Sequence, residues 1–281
     1  MKYKLIVFDL DGTLLSPQKI LTSRVIKAIE RACACGLNIT ISTGRTFPSA
    51  KPYIEALNIG GLVSFQNSAL MVSFDPMEVY RLVNFPRSKL VEAVCLAKDL
   101  GLFSMLFIPS FTSPYIVMEK IFPHDSKFSS YFEKSVFNAI LLNDIVEAFK
   151  MSLSFNELVV VGKVEKVEMF ISESCGKGLS FVMNSKVDDE VFLEIYGPEC
   201  SKEVSLYFFS KFYEIPLDRI VFVGDNLNDI DAIRKAGLGV AMENAPEEVK
   251  KEADLIIPSN ADDGVASFLE EILSERKKFF A

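Results

Sequence analysis

The stretch Lys4-Leu5-Ile6-Val7-Phe8-Asp9-Leu10-Asp11-Gly12-Thr13 decides how the rest of the chain is read. Four consecutive apolar residues, 5–8, are stopped by Asp-Leu-Asp-Gly, the pattern of a short strand buried on both faces that runs into a loop. Outward from it, the spacing predicts a helix with Thr22 as N-cap and Val25, Ile26 and Ile29 as its apolar stripe, closing at Gly36. A strand over 37–42, a helix to about Leu57 and a strand over 61–65 follow, the last with a possible hairpin partner over 69–73. Strands and helices alternating at this spacing predict βαβ units and a parallel sheet. The C-terminal part repeats the rhythm: helix 202–213, strand 219–223, helix 228–235, strand 239–241, helix 246–251 and strand 254–257. A last amphipathic helix is predicted from about Asp262 to the basic tail Arg276-Lys277-Lys278.

The middle reads differently. Residues 100–118 carry no formal charge, but Pro109 and Pro114 divide them into strands over 102–108 and 115–118, a hairpin and not a membrane span. Further strands are predicted over 167–172 and 191–195, and a Phe-rich helix over 144–155. Gly176-Lys177-Gly178 lacks the spacing of a phosphate loop and reads as a tight turn before a helix over 179–183. The expected fold class is therefore α/β: a discontinuous parallel-sheet domain, 1–82 and 195–281, with an α/β domain over 83–194 inserted into it.

Composition narrows the chemistry. The 281 residues suit about two domains, and 49% apolar with 24% charged residues is globular composition. Only one histidine is present, His124, so a His-rich zinc site within one chain is excluded and any Ser-His-Asp or Cys-His arrangement must use it. It reads as a surface or capping residue, which leaves acid–base work to carboxylates, lysine or tyrosine. A net charge of −8 argues against nucleic acid as a partner. Five cysteines, with Cys33-Ala-Cys35 lacking redox spacing, predict reduced thiols and a cytoplasmic protein. The apolar run before Asp9 is too short for a signal peptide. Neither a membrane nor a nucleic acid is expected as partner, and the chain is expected to be a monomer or small homo-oligomer.

Ligands of doubly wound sheets bind at the carboxyl ends of the strands. Three such ends carry Asp9-Leu10-Asp11-Gly12-Thr13, Ser42-Thr43-Gly44-Arg45 and Gly224-Asp225-Asn226-Leu227-Asn228-Asp229. Asp9 and Asp11, two apart on extended chain, can face one substrate, and carboxylates so close repel unless a cation or a proton intervenes. A hard cation such as Mg²⁺ suits Asp9 and Asp225, completed by a backbone carbonyl and waters. It would let Asp9 attack phosphorus while Asp11 handles the proton of the leaving oxygen and then of water. Blander readings stand beside these: Asp-Leu-Asp-Gly as a turn, Thr43-Gly44 as a helix N-cap, and Lys202 as a solvated first-turn residue.

These stretches, with Ser201-Lys202, resemble in order and spacing the four motifs of the haloacid dehalogenase (HAD) superfamily, in its Cof-type branch (subfamily IIB). Gly239-Val240-Ala241-Met242-Glu243-Asn244-Ala245 and Asp262-Asp263-Gly264-Val265-Ala266 are also similar to this branch. The resemblance implies a Rossmannoid core with an inserted α/β cap that closes over a small phosphorylated metabolite, such as a sugar phosphate. It implies Mg²⁺-dependent hydrolysis, with Asp9 as nucleophile and Asp11 as general acid/base. Asp9, the Asp11 main-chain carbonyl and Asp225 would be metal ligands, and Asp229 would support them from behind. Thr43 and Lys202 would hold the phosphoryl group, Gly44 would admit the backbone close to it, and Asn228 would orient phosphate or ligand. A phosphomutase and a non-catalytic sugar-phosphate-binding protein are the alternatives. Two positions depart from the family: Glu203 and Ser68 stand where glycine is common, and Glu203 would put a carboxylate near the phosphate pocket. Phe107, Phe111, Phe122 and Phe128 are candidates for a cap face over the substrate, and the charge runs at 247–248 and 276–278 read as solvated helix faces.

Overall fold

The computed structural model describes residues 2–113, 115–174 and 178–274. The basic tail 276–278, Cys175, Pro114 and the Gly176-Lys177 part of the expected turn lie outside the described residues. The chain divides into two compact units, one of residues 1–45, 49–80 and 201–281, the other of 46–48 and 81–200.

The first unit opens with β1 (Leu5–Phe8), α1 (Ser23–Ala34), β2 (Asn38–Ile41), most of α2 (Phe47–Ala56), β3 (Gly61–Phe65), β4 (Leu70–Phe74) and the start of β5 (Glu78–Leu82). The second follows with α3 (Arg87–Asp99), β6 (Phe103–Phe107), β7 (Ile116–Glu119), α4 (Ser129–Ser135), β8 (Ala139–Leu142), β9 (Glu157–Lys163), α5 (Val164–Ser174), β10 (Ser180–Val187) and β11 (Glu190–Tyr196). The chain then returns to the first unit with α6 (Lys202–Tyr213), β12 (Ile220–Gly224), α7 (Ile230–Lys235), β13 (Leu238–Met242), α8 (Glu247–Lys250), β14 (Leu255–Ile257) and α9 (Gly264–Ser274).

The first unit holds a five-stranded sheet in the order β14-β13-β12-β1-β2, parallel throughout. Leu5, Val7, Ile220 and Phe222 point to one face, where Leu206 and Phe209 of α6 and Ala232 and Ile233 of α7 cover them. The alternate residues Ile6, Phe8, Val221 and Val223 are equally buried, which is why these strands read as unbroken apolar runs. Thr22 caps α1 as expected, its side chain accepting from the Val25 N–H. β3 shares with the β2 segment one isolated parallel bridge, Ser42 to Ser64, and a side-chain bond from the Thr40 hydroxyl to the Leu62 carbonyl, but no extended ladder among the described residues. Its main partner is β4, in a separate antiparallel sheet ordered β3-β4-β5, and β5 had no counterpart in the sequence reading. The parallel sheet thus ends at β2 because β3 turns its ladder toward the hairpin.

The second unit is built on a six-stranded sheet, β10-β11-β9-β6-β7-β8. Its pairs are antiparallel apart from β7 with β8. One face packs on α3 and α5 through Leu106, Val160 and Leu193, and the other on Phe132 of α4 through Met105, Val159 and Phe192. Several expectations change here. The strand expected over 167–172 is the middle of helix α5: Val167, Phe170 and Ser174 are buried at spacings of three and four, the helical period. The helix expected over 179–183 is strand β10, where Phe181 and Met183 pair with Ile195 and Leu193 of β11. The helix over 144–155 shrinks to a 3₁₀ turn, Ile145–Lys150, capped by Asp144. Phe107, Phe122 and Phe128 pack into the cluster around Phe132, and Phe111, 38% exposed, sets its ring edge-on to Phe47 at 4.7 Å. His124 is exposed, its ring beside that of Phe122.

Candidate active site

The strands of the parallel sheet deliver their carboxyl ends to one edge, and the site is assembled there within the first unit. Asp9 follows β1 directly and is buried, and Asp225 follows β12. Lys202 is the first residue of α6, whose N-cap Ser201 accepts from the Val204 N–H. Its side chain is 2% exposed, so it is no solvated first-turn lysine: Nζ donates to Asp9 Oδ1 at 2.7 Å and to Asp229 Oδ1 at 2.6 Å. Asp229 Oδ2 accepts from the Asp225 and Asn226 N–H groups at 3.0 and 2.9 Å, which folds the loop after β12 around it. Gly224 is required at this turn, because a Cβ there would lie 2.4 Å from Asp229 Cγ. The Thr13 hydroxyl donates to Asp225 Oδ1 at 2.9 Å. Gly12, at φ +83°, brings the first loop so close that a Cβ would sit 2.0 Å from Asp225 Oδ2.

Asp9, Asp225 and Asp229 each offer a carboxylate oxygen within 4.8 Å of the others'. Burial pushes the Asp9 carboxyl well up, and Asp229, Asp225 and Asp11 push it further against the opposing pull of Lys202. Burial and then Asp229 push Asp225 up to about 7, again against Lys202. One ammonium therefore leaves two of three negative charges uncompensated, which a divalent cation would offset. The donors fit: Asp9 Oδ2 carries no hydrogen bond among the described residues, and Asp225 Oδ2 has only a long contact of 3.5 Å with Asn244. Both Asp229 oxygens are already engaged, Oδ1 by the Lys202 ammonium and Oδ2 by the Asp225 and Asn226 N–H groups.

Asp11 stands apart from that group. Arg45 grips it from two sides, Nε at 2.5 Å and a terminal nitrogen at 2.8 Å, and Lys19 Nζ lies 2.7 Å from Oδ1. Burial alone would raise this carboxyl; the Arg45 and Lys19 contacts overcome it and hold Asp11 at about 2. Arg45 stands in the quoted motif without a role, and Lys19 lies in a loop whose sequence gives no signal. The Arg45 guanidinium also covers the Tyr53 ring at 4.9 Å.

Thr43 and Gly44 follow β2 at the same edge. The Thr43 N–H is already spent on the Ser64 carbonyl at 3.0 Å, and its hydroxyl oxygen accepts from the Arg45 N–H at 3.1 Å. Helix α2 begins at Phe47, so Thr43-Gly44 does not cap it. Asn228 donates to Asn67 Oδ1 at 3.2 Å, and its own Oδ1 is buried without a hydrogen bond. Gln66, Asn67 and Ser68 all have positive φ (49°, 49° and 74°) and are all buried. Ser68, the first departure from the family, keeps its hydroxyl at work: Oγ accepts from the Ser201 N–H at 3.3 Å. Glu203, the second, turns along α6 to accept from the Tyr207 hydroxyl at 3.2 Å.

The family model for haloacid dehalogenase-like hydrolases matches residues 6–269. A 5-amino-6-(5-phospho-D-ribitylamino)uracil phosphatase of Bacillus subtilis is 27% identical, over 96% of this chain and 97% of that protein. A pyridoxal phosphate phosphatase of Escherichia coli is 24% identical, over 96% and 98%. Among solved structures, the phosphatase BT1666 of Bacteroides thetaiotaomicron superposes with a TM-score of 0.81 at 25% identity, over 96% of this chain and 94% of that one. The chain belongs to the haloacid dehalogenase-like hydrolases, in their Cof-type branch, and is an enzyme of the phosphatase class. Its fold is the family's parallel-sheet core with an α/β cap. Among the described residues no helix is long and apolar enough to cross a membrane.

Proposed function

We propose that the enzyme hydrolyses a small phosphomonoester, a sugar phosphate or related metabolite, through an aspartyl-phosphate on Asp9. The observation that carries this is the buried Asp9 carboxylate at the end of β1, held by Lys202 at 2.7 Å and facing Asp225. Asp9 Oδ2, the Asp11 main-chain carbonyl and Asp225 would hold Mg²⁺. When bound, the ion would screen the repulsion between Asp9 and the phosphoryl oxygens. Lys202 orients Asp9 and adds a positive charge to the pocket, and the Thr43 hydroxyl and Gly44 backbone line the place where phosphoryl oxygens sit. Asp9 forms the bond to phosphorus as the ester oxygen leaves with a proton from Asp11. Asp11 then takes a proton from water, whose oxygen displaces Asp9 and releases inorganic phosphate. Arg45 and Lys19 hold Asp11 in the proton-accepting form that the second step needs. Delivering the first proton requires that grip to loosen, which makes Arg45 a partner of the cycle.

The residues of the second unit would set the choice of leaving group, with boundaries near 83 and 194. Cys33, Cys35, Cys95 and Cys200 are thiols and not disulfides, which fits a reducing compartment, and the cytoplasm is where we place the enzyme. The test is a phosphate-release screen with Mg²⁺ over sugar phosphates, pyridoxal phosphate and nucleoside monophosphates, wild type against Asp9→Asn. Release by the wild type and a loss of more than about a thousandfold in a folded variant is the expected result. Near-full activity in Asp9→Asn would overturn the assignment of the nucleophile.

A further inference from the structure

We propose that Asn244, in the loop after β13, is a positioning residue for the divalent-cation site, fixing the first catalytic loop and the outer oxygen of Asp225. The proposal rests on the reading of Asp9, the Asp11 carbonyl and Asp225 as cation ligands. Asn244 Nδ2 donates to the Gly12 carbonyl at 2.9 Å and lies 3.5 Å from Asp225 Oδ2. One amide group thus reaches both loops that supply ligands. Which end of the amide faces them is settled by its other partner: Oδ1 accepts from the Asn260 N–H at 3.0 Å, so the NH₂ must point at Gly12. Asn260, after β14, is itself anchored, its Nδ2 donating to the Leu15 carbonyl at 2.6 Å.

The consequence lies in the backbone of the first loop. The Leu15 N–H closes the loop onto the Leu10 carbonyl at 2.9 Å, and Asp11 bridges to Leu15. Between these points Gly12, at φ +83°, is the only residue without a side chain to restrain it. Pinning its carbonyl fixes the rotation about Gly12 and with it the plane of the Asp11–Gly12 peptide, whose oxygen is the proposed third ligand. The same amide steadies Asp225 Oδ2, the oxygen of that carboxylate that Thr13 leaves open. Groups that orient metal ligands in this way change metal affinity by about 10–100-fold when removed. Asn244 is exposed, which places it at the lower end.

The experiment is calorimetric titration of Mg²⁺ into the metal-free full chain, wild type and Asn244→Ala, alongside phosphate release against Mg²⁺ concentration. Asn244→Ala should raise the Mg²⁺ Kd about tenfold and raise the half-maximal Mg²⁺ concentration by the same factor. With saturating Mg²⁺, kcat should return to within about twofold of wild type, because no group that touches substrate has been removed. Asn260→Ala keeps its N–H on Asn244 and releases the Leu15 carbonyl and the Ser259 hydroxyl, so it should shift the Kd in the same direction by less. An unchanged Kd in Asn244→Ala, or a fall in kcat that excess Mg²⁺ does not restore, overturns the positioning role alone. A wild-type chain that takes up no Mg²⁺ overturns the cation reading itself, and this proposal with it.

Discussion

The two units bury polar groups in different ways. In the first, the buried charges Asp9, Lys202 and Asp229 meet at the carboxyl ends of parallel strands, and three consecutive residues beside them, 66–68, hold positive φ while buried. In the second, positive φ among the described residues occurs at Gly101, Gly178, Asp188 and Glu199, all exposed. Its buried acids Glu157 and Glu194 lie within antiparallel strands, Glu194 accepting from the Tyr196 hydroxyl at 2.8 Å. Backbone strain and uncompensated charge persist only where the surroundings over-determine them. The first unit concentrates both at one sheet edge, while the second ties its buried acids into the strands of a sheet packed with Phe, Val and Leu.

The sharpest way to break that contrast is to remove the buried cation at its centre, Lys202. Lys202→Met leaves Asp9 and Asp229 buried beside each other with nothing between them, and breaking such a pair costs about 3–5 kcal/mol. Denaturant unfolding should show that loss in the first unit, and phosphate release should vanish with it. A loss below about 1 kcal/mol would mean that the trio is not buried in solution.

The next largest effect belongs to the second unit. Phe132 is fully buried, with ring contacts to Phe103 at 4.7 Å and Phe122 at 5.9 Å. Phe132→Ala should destabilise this unit by about 3–4 kcal/mol through the cavity it leaves. The Mg²⁺ affinity should not move, because the proposed ligands all lie in the first unit. A weakened Mg²⁺ affinity in the folded variant would show that the two units do not keep their tasks apart.

The same contrast explains what was legible in the sequence. Strands β1 and β12 are buried on both faces and are each followed by Asp, so apolar runs and the residues that stop them marked both the sheet and the edge where the acidic cluster gathers. Lys202 was readable because Ser201 announces a helix start, where a lysine opposes the helix dipole and so calls for another reason. Arg45, Lys19 and Asn244 were not, because their partners are 34, 8 and 232 residues away and no local pattern records such a contact. In the second unit periodicity misled twice. In α5, Lys166-Val167-Glu168 alternates like a strand before Met169 and Phe170 reveal the helical period. At the start of β10, Phe181-Val182-Met183 is a continuous apolar run without alternation, and its pairing with β11 makes it a strand.

The smallest expected effect tests whether the buried turn at 66–68 is strained. Ser68 holds φ at 74°, a region that costs a residue with a Cβ about 1–2 kcal/mol, and its hydroxyl returns part of that through the Ser201 N–H at 3.3 Å. Ser68→Ala keeps the strain and loses the hydrogen bond, so it should destabilise the first unit by about 1 kcal/mol. Ser68→Gly also loses the bond but relieves the strain, against an entropic cost of about 0.5–1 kcal/mol for glycine in the unfolded chain. It should therefore be less harmful than alanine. Both losses act on the N–H of Ser201, one residue before the lysine that holds Asp9, so the two variants also report on how firmly that helix start is seated. If glycine proved more destabilising than alanine, the turn would be unstrained, and the contrast between the two units would rest on charge alone.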